Sequence, residues 1–134
     1  MTVPALKHIL SIDDEEDILQ VTKMSLETLG GFQVSICRGS AKAVDQAMAL
    51  KPDLILLDVM MPGMDGPSTL KLLRATPEVA HIPVIFMTAK VQPAEVEHYL
   101  QLGATGVIAK PFDPMMISKH VDRLWKEFNE SGGN

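Results

Sequence analysis

The chain has 134 residues, of which 46% are hydrophobic and 22% charged, with a formal net charge of −5. That length suits one domain burying roughly two-thirds of its unfolded surface, and the composition excludes a disordered chain. The acidic surplus argues against nucleic acid as a direct partner, because phosphate backbones select basic surfaces. No apolar stretch approaches the about 18 residues of a membrane span, and the first ten residues lack a signal-peptide pattern. The single cysteine, Cys37, cannot form an internal disulfide, which fits a reducing cytosol, so a cytoplasmic location is expected.

Five apolar runs, at about 7–12, 32–37, 53–57, 82–87 and 105–108, predict strands. The first, His8-Ile9-Leu10-Ser11-Ile12, runs into Asp13-Asp14. A helix follows from Glu15 to Leu29, with Ile18, Val21, Thr22, Ser25, Leu26 and Leu29 on one face and Gly30-Gly31 as its stop. The second strand closes on Cys37, the single cysteine, which reads as a small buried hydrophobe. Ser40 reads as the N-cap of a second helix carrying Ala43, Val44, Ala47 and Met48, closed by Pro52. The third strand, Leu54-Ile55-Leu56-Leu57, ends in Asp58. A third helix follows Asp65, with Leu70 and Leu73 inward. Val84-Ile85-Phe86-Met87 ends in Thr88, and a fourth helix runs from near Pro93 to Gly103. Gly106-Val107-Ile108-Ala109 ends in Lys110-Pro111. The fifth helix starts near Asp113, with Met116, Val121, Leu124 and Phe128 as core contacts, and Ser131-Gly132-Gly133-Asn134 reads as a frayed end.

Strands alternating with helices imply an α/β fold, a five-stranded parallel sheet with helices on both faces. In the flavodoxin-like strand order 2-1-3-4-5, the first and third strands are neighbours, so Asp13-Asp14 and Asp58 should touch at the carboxyl edge of the sheet. Carboxylates held that close cannot all stay ionised without a counter-cation, and a hard divalent ion with oxygen preference resolves the repulsion. Asp13, Asp14 and Asp58 therefore read as a Mg²⁺ site. Glu15 to Asp17 read as a solvated, dipole-favoured helix start. Beside a metal, the Asp58 carboxylate is able to attack phosphorus and form an aspartyl phosphate. Lys110 would pair with one phosphoryl oxygen and the Thr88 hydroxyl would donate to another.

Asp13-Asp14, the stretch from Leu57 to Gly66, Thr88-Ala89 and Lys110-Pro111-Phe112, in that order and spacing, resemble the receiver domain of two-component response regulators over about residues 7–128. The resemblance implies a single receiver domain over 1–134, phosphorylated at Asp58 by a phosphohistidine on a histidine kinase or phosphotransfer protein. It implies Mg²⁺ held by the Asp14 and Asp58 side chains, by Asp13 through water and by the Met60 backbone carbonyl, and a cis Lys110–Pro111 bond. It also implies that Thr88 moves toward the phosphoryl group and reshapes the fourth helix, fifth strand and fifth helix for a downstream protein. The family's usual aromatic three residues before the lysine is Val107 here, so a smaller switch, by swinging or repacking of Val107, is expected in place of the usual aromatic. Met60 and Lys90, two residues past Asp58 and Thr88, stand where side chains gate attacking water.

Other readings compete. A Mg²⁺-dependent aspartyl-phosphate phosphatase usually carries a second Asp where Met60 stands. A flavin-binding domain wants hydroxyl and glycine donors after the first strand, where this chain has five acids. A receiver-like scaffold that works without phosphorylation would lack site residues, and none is missing. His8, His81, His98 and His120 show no metal-ligand spacing. The chain stops soon after the fifth helix, so the expectation is a stand-alone regulator, a phosphorelay shuttle or sink, or the excised receiver of a hybrid kinase or larger regulator, monomeric or weakly dimeric.

Overall fold

The computed structural model describes residues 3–132. Along the chain run β1 (His8–Asp13), α1 (Glu16–Gly30), β2 (Gln33–Arg38), α2 (Ala43–Leu50), β3 (Leu54–Asp58), α3 (Gly66–Arg74), β4 (Val84–Thr88), α4 (Pro93–Gln101), β5 (Gly106–Ala109) and α5 (Ile117–Glu130). The strands form one parallel sheet in the order β2-β1-β3-β4-β5, as the sequence predicts. Every residue of β3 and β4 is buried, which is why both runs are apolar without alternation. The register pairs Ile12 with Leu57, Asp58 with Met87 and Thr88 with Ala109. The polar residues that end the strands therefore fall along one edge.

Alternation along each strand divides the core in two. Leu10, Ile12, Ile55, Leu57, Val84 and Phe86 pack with Ala43 and Ala47 of α2, Leu70 and Leu73 of α3, and Tyr99 of α4. Ile9, Leu54, Leu56, Ile85, Met87 and Ile108 pack with Leu26 of α1 and with Ile117, Val121 and Trp125 of α5. Burying one such aliphatic side chain contributes roughly 1.5–3 kcal/mol before entropic costs. Strand parity then puts Asp13 and Asp58 on the α1/α5 face, in phase with Ile9 and Leu56, and Thr88 on the other, in phase with Phe86.

Several helical expectations shift. In α1 the buried positions are Leu19, Thr22, Ser25 and Leu26, while Val21 and Leu29 are exposed. The inward stripe is rotated toward Leu19, because α1 must also meet α5 and not the sheet alone. Ser40 does not cap α2: Lys42 occupies that position, and Ser40 instead accepts the Ala43 N–H on its backbone carbonyl. Met48 is exposed as well. Asp65 does cap α3, its carboxylate accepting the Ser68 N–H at 2.8 Å. The fifth helix begins at Ile117 rather than near Asp113, leaving Met116 exposed. Trp125, not among the expected contacts, is buried there and donates its indole N–H to the Pro4 carbonyl at 2.8 Å. Of the expected frayed end, Gly133 and Asn134 lie outside the described residues.

Candidate functional site

β1 delivers Asp13 and Asp14 beside Asp58 because β1 and β3 are direct neighbours. One carboxylate oxygen from each of the three lies within 4.8 Å of the others. Asp13 and Asp58 are buried and Asp14 half-buried. Two carboxylates are held by nearby backbone, Asp13 Oδ1 accepting the Glu15 N–H at 2.9 Å and Asp58 Oδ1 the Met60 N–H at 3.4 Å, while the Arg38 side chain donates its Nε–H to the Asp14 main-chain carbonyl at 3.2 Å. The loop after β3 is kept tight by Gly66, whose N–H donates to the Val59 carbonyl at 2.9 Å. A Cβ on Gly66 would stand 2.6 Å from the Asp58 carbonyl oxygen, so the chain that follows Asp58 folds back only because no side chain is there.

Lys110 follows β5, the edge strand at the opposite end of the sheet from β2. Its Nζ lies 3.0 Å from Asp13 Oδ2, 3.3 Å from Asp58 Oδ1 and 3.9 Å from Glu15 Oε1. Glu15 is thus not simply solvated, as its place in the acidic run suggests, although it remains largely exposed. The Lys110–Pro111 peptide bond is cis. Thr88 is buried, and its Oγ1 accepts the Lys90 N–H at 3.0 Å. Asp58, Thr88, Ala89, Lys110 and Met60 line one cleft of about 380 Å³. The Met60 side chain stands open to solvent at its rim, and Lys90 is exposed.

The electrostatics are unbalanced. Burial pushes the Asp58 carboxyl up to about 6, the Asp13 charge adds to the rise, and Lys110 and the Met60 N–H oppose it. Burial by itself would lower the Lys110 ammonium, but hydrogen bonds and charge from Asp13 and Asp58 outweigh it and hold Lys110 above its ordinary value. One half-buried ammonium does not neutralise three carboxylates. Oxygen-only donors with surplus negative charge and an opening to solvent make a set that fits a hard divalent cation.

Val107 does not line the cleft. It is half-buried on β5, opposite Phe86, and packs against the cluster under α4. The neighbouring aromatic is Tyr99, buried on α4 and edge-on to Phe86 with ring centroids 5.3 Å apart. Tyr99 escaped the sequence reading because helical position alone does not say which side chain a strand residue meets. None of the four histidines belongs to the acidic cluster; His8 is bonded instead to Ser35 Oγ at 2.8 Å. Cys37 is buried, and burial raises its thiol pKa. Among the described residues no helix is long and apolar enough to cross a membrane.

Comparison with known proteins adds an independent line. The family model for the response regulator receiver domain matches residues 9–122. The alkaline phosphatase synthesis transcriptional regulatory protein PhoP of Bacillus subtilis is 36% identical over 118 residues, covering 88% of this chain and 48% of that protein. The chain spans about half the length of the curated relatives it matches. Among solved structures, the chemotaxis response regulator CheY4 of Vibrio cholerae superposes with a TM-score of 0.82 at 28% identity, covering 90% of this chain and 99% of that one. The receiver domain of a signal transduction histidine kinase from Syntrophus aciditrophicus does so with a TM-score of 0.77 at 34% identity, covering 90% and 91%.

Proposed function

The chain belongs to the response regulator receiver domain family, a signalling family rather than one of classical enzymes, and from that premise we propose that Asp58 accepts a phosphoryl group from a phosphohistidine on a histidine kinase or phosphotransfer protein. The observation that carries this reading is the placement of Asp58: buried at the floor of an open cleft, with Lys110 Nζ 3.3 Å from its carboxylate and Asp13 and Asp14 beside it.

In the forward step an Asp58 carboxylate oxygen attacks phosphorus, a P–O bond forms, and the P–N bond to the donor imidazole breaks. The departing ring nitrogen takes a proton from solvent, so that the donor histidine leaves as neutral imidazole. Lys110 pairs with a phosphoryl oxygen, which reorients its ammonium away from Asp58, and the Thr88 hydroxyl donates to another. In a second, separate step water attacks phosphorus, the P–O bond to Asp58 breaks, inorganic phosphate leaves with the proton lost by the water, and the Asp58 carboxylate is regenerated. Asp14 and Asp58 would hold Mg²⁺ directly, with Asp13 through water and the Met60 backbone carbonyl completing the set. Mg²⁺ bound there supplies the positive charge that phosphoryl transfer needs at its oxygens. The donor set fits, since three clustered carboxylates carry more negative charge than Lys110 offsets.

Phosphorylation adds charge and acceptor oxygens at the sheet edge. Thr88 gives up the Lys90 N–H and turns toward the new group, and the surface of α4, β5 and α5 changes for a downstream protein, with Val107 repacking where an aromatic would swing. The unit that does this is one domain with its core at about 7–128. Likeness to a histidine-kinase receiver favours, as a second reading, a relay role inside a larger signalling protein.

The test is direct. Wild type incubated with acetyl phosphate and Mg²⁺ gains the mass of one phosphoryl group, and Asp58→Asn does not. Wild type unmodified by acetyl phosphate, phosphoramidate and a phosphorylated histidine donor alike would remove the reading.

A further inference from the structure

Helix α4 is held very differently at its two ends. Tyr99 is its one buried residue, seated against Phe86 of β4. The turn that follows closes on the helix and is tied to the sheet: the Ala104 N–H donates back to the Tyr99 carbonyl of α4 at 3.1 Å, the Thr105 N–H donates to the Val84 carbonyl of β4 at 2.7 Å, and Ala104 is buried. Across this turn lies Arg74, the last residue of α3. Its guanidinium donates to three backbone carbonyls, those of Ala80 at 3.2 Å, Ile82 at 2.7 Å and Gly103 at 3.1 Å. Arg74 forms no salt bridge among the described residues, and burial lowers its pKa. A part-buried charge satisfied only by carbonyls persists because the planar guanidinium reaches several acceptors at once. It joins the end of α3, the segment leading into β4 and the turn after α4.

The other end has none of this. Ala89 to Ala94 are exposed, and Glu95 and Val96 are only half-buried. The first turn is capped from within the helix, the Gln92 N–H donating to Glu95 Oε1 at 3.2 Å. The segment before it is fastened to the site by the Lys90 N–H on Thr88 Oγ1, the same hydroxyl that the proposed function recruits to the phosphoryl group.

We propose that α4 is a lever fixed at its C-terminal end, with Arg74 as the positioning residue that sets the pivot, so that rearrangement at Thr88 moves or unwinds the helix from Pro93 while Tyr99 to Ala104 stay in place. What drives the motion rests on the proposed phosphorylation; where the helix is held does not. Local stability is graded in this way when buried contacts gather at one end of an element.

Hydrogen exchange read by mass spectrometry on the full chain tests this, with Mg²⁺ alone and with Mg²⁺ and beryllofluoride as a phosphoryl mimic. In wild type without the mimic, amides 95–98 exchange at least tenfold faster than amides 102–104, and the mimic changes only the former. In Arg74→Met, amides 102–104 lose at least tenfold in protection and the mimic's effect spreads to them, while β3 amides 54–57 stay as in wild type. Arg74→Lys, able to reach one carbonyl at a time, falls between. A general destabilisation would raise exchange in β3 as well, and that result, in both variants, overturns the pivot. Uniform protection along α4 in wild type overturns it too. Should acetyl phosphate label Asp58 while the mimic alters both ends of α4 equally, the lever falls and the phosphoryl reading stands. Should Asp58 stay unlabelled, the phosphoryl reading falls, and the unliganded gradient and its loss in Arg74→Met still decide the pivot.

Discussion

Asp13 and Lys110 form a 3.0 Å ion pair across 97 positions of sequence, from the ends of two strands that have two others between them in the sheet. Lys110 also touches Asp58 at 3.3 Å, so one ammonium serves two buried carboxylates and the site is left short of positive charge.

Burial first, and the neighbouring Asp13 charge second, set the pH behaviour of Asp58. Its carboxyl is held at about 6 in the folded chain, above its ordinary 3.8. A raised carboxyl pKa means that the folded state binds the proton more tightly than the unfolded chain. Its stabilising contribution is complete below the unfolded value and is lost as pH rises through about 6. In metal-free protein, Asp58→Asn is expected to stabilise the fold at pH 7–8 by on the order of 1 kcal/mol, with the gain shrinking toward pH 4. Urea melts at several pH values check this; a constant difference between variant and wild type would contradict it.

Divalent cation should relieve the same strain. Mg²⁺ at about 100 times its dissociation constant is expected to stabilise the wild type by about 2.7 kcal/mol. EDTA reverses the shift, and Asp14→Asn or Asp58→Asn lowers the affinity at least tenfold, read from thermal melts titrated with Mg²⁺.

Removing Lys110 leaves two buried acids facing each other. Lys110→Met is expected to cost about 1–3 kcal/mol of stability in metal-free protein at pH 7, with Mg²⁺ recovering part of it. Phosphoryl incorporation from acetyl phosphate, followed by intact mass, should fall at least tenfold even at saturating Mg²⁺.

Gly66 tests the loop behind Asp58. The Cβ of Gly66→Ala would meet the Asp58 carbonyl oxygen at 2.6 Å and Val59 Cα at 2.8 Å, both backbone atoms that cannot rotate away. The expected cost is about 1–3 kcal/mol, together with weaker Mg²⁺ binding because the Asp58–Met60 segment shifts. A variant as stable as wild type would show that the loop relaxes freely.

Lys90, exposed beside the cleft, is expected to influence water attack on the phosphorylated site. Lys90→Ala should change the autodephosphorylation half-life while leaving Mg²⁺ affinity as it was; equal half-lives for the two phosphoproteins would refute this.

The sequence by itself determined the strands, their parallel arrangement and the residues that end them. Doubly covered strands must be apolar throughout, and the run from Leu54 to Leu57 shows it in four letters. Periodicity also placed Asp58, Thr88 and Lys110 at strand ends, and the strand order brought Asp13 and Asp14 beside Asp58. Only the tertiary structure decided the rest. Which side of α1 faces inward, why Trp125 is buried and Met116 is not, and that Arg74 secures the turn after α4 all depend on contacts between elements distant in sequence. A periodic pattern reports how often a chain turns its apolar side to one direction. It carries no information about what stands in that direction, and a charge such as Arg74 looks like any surface cation until three carbonyls from two other segments close around it.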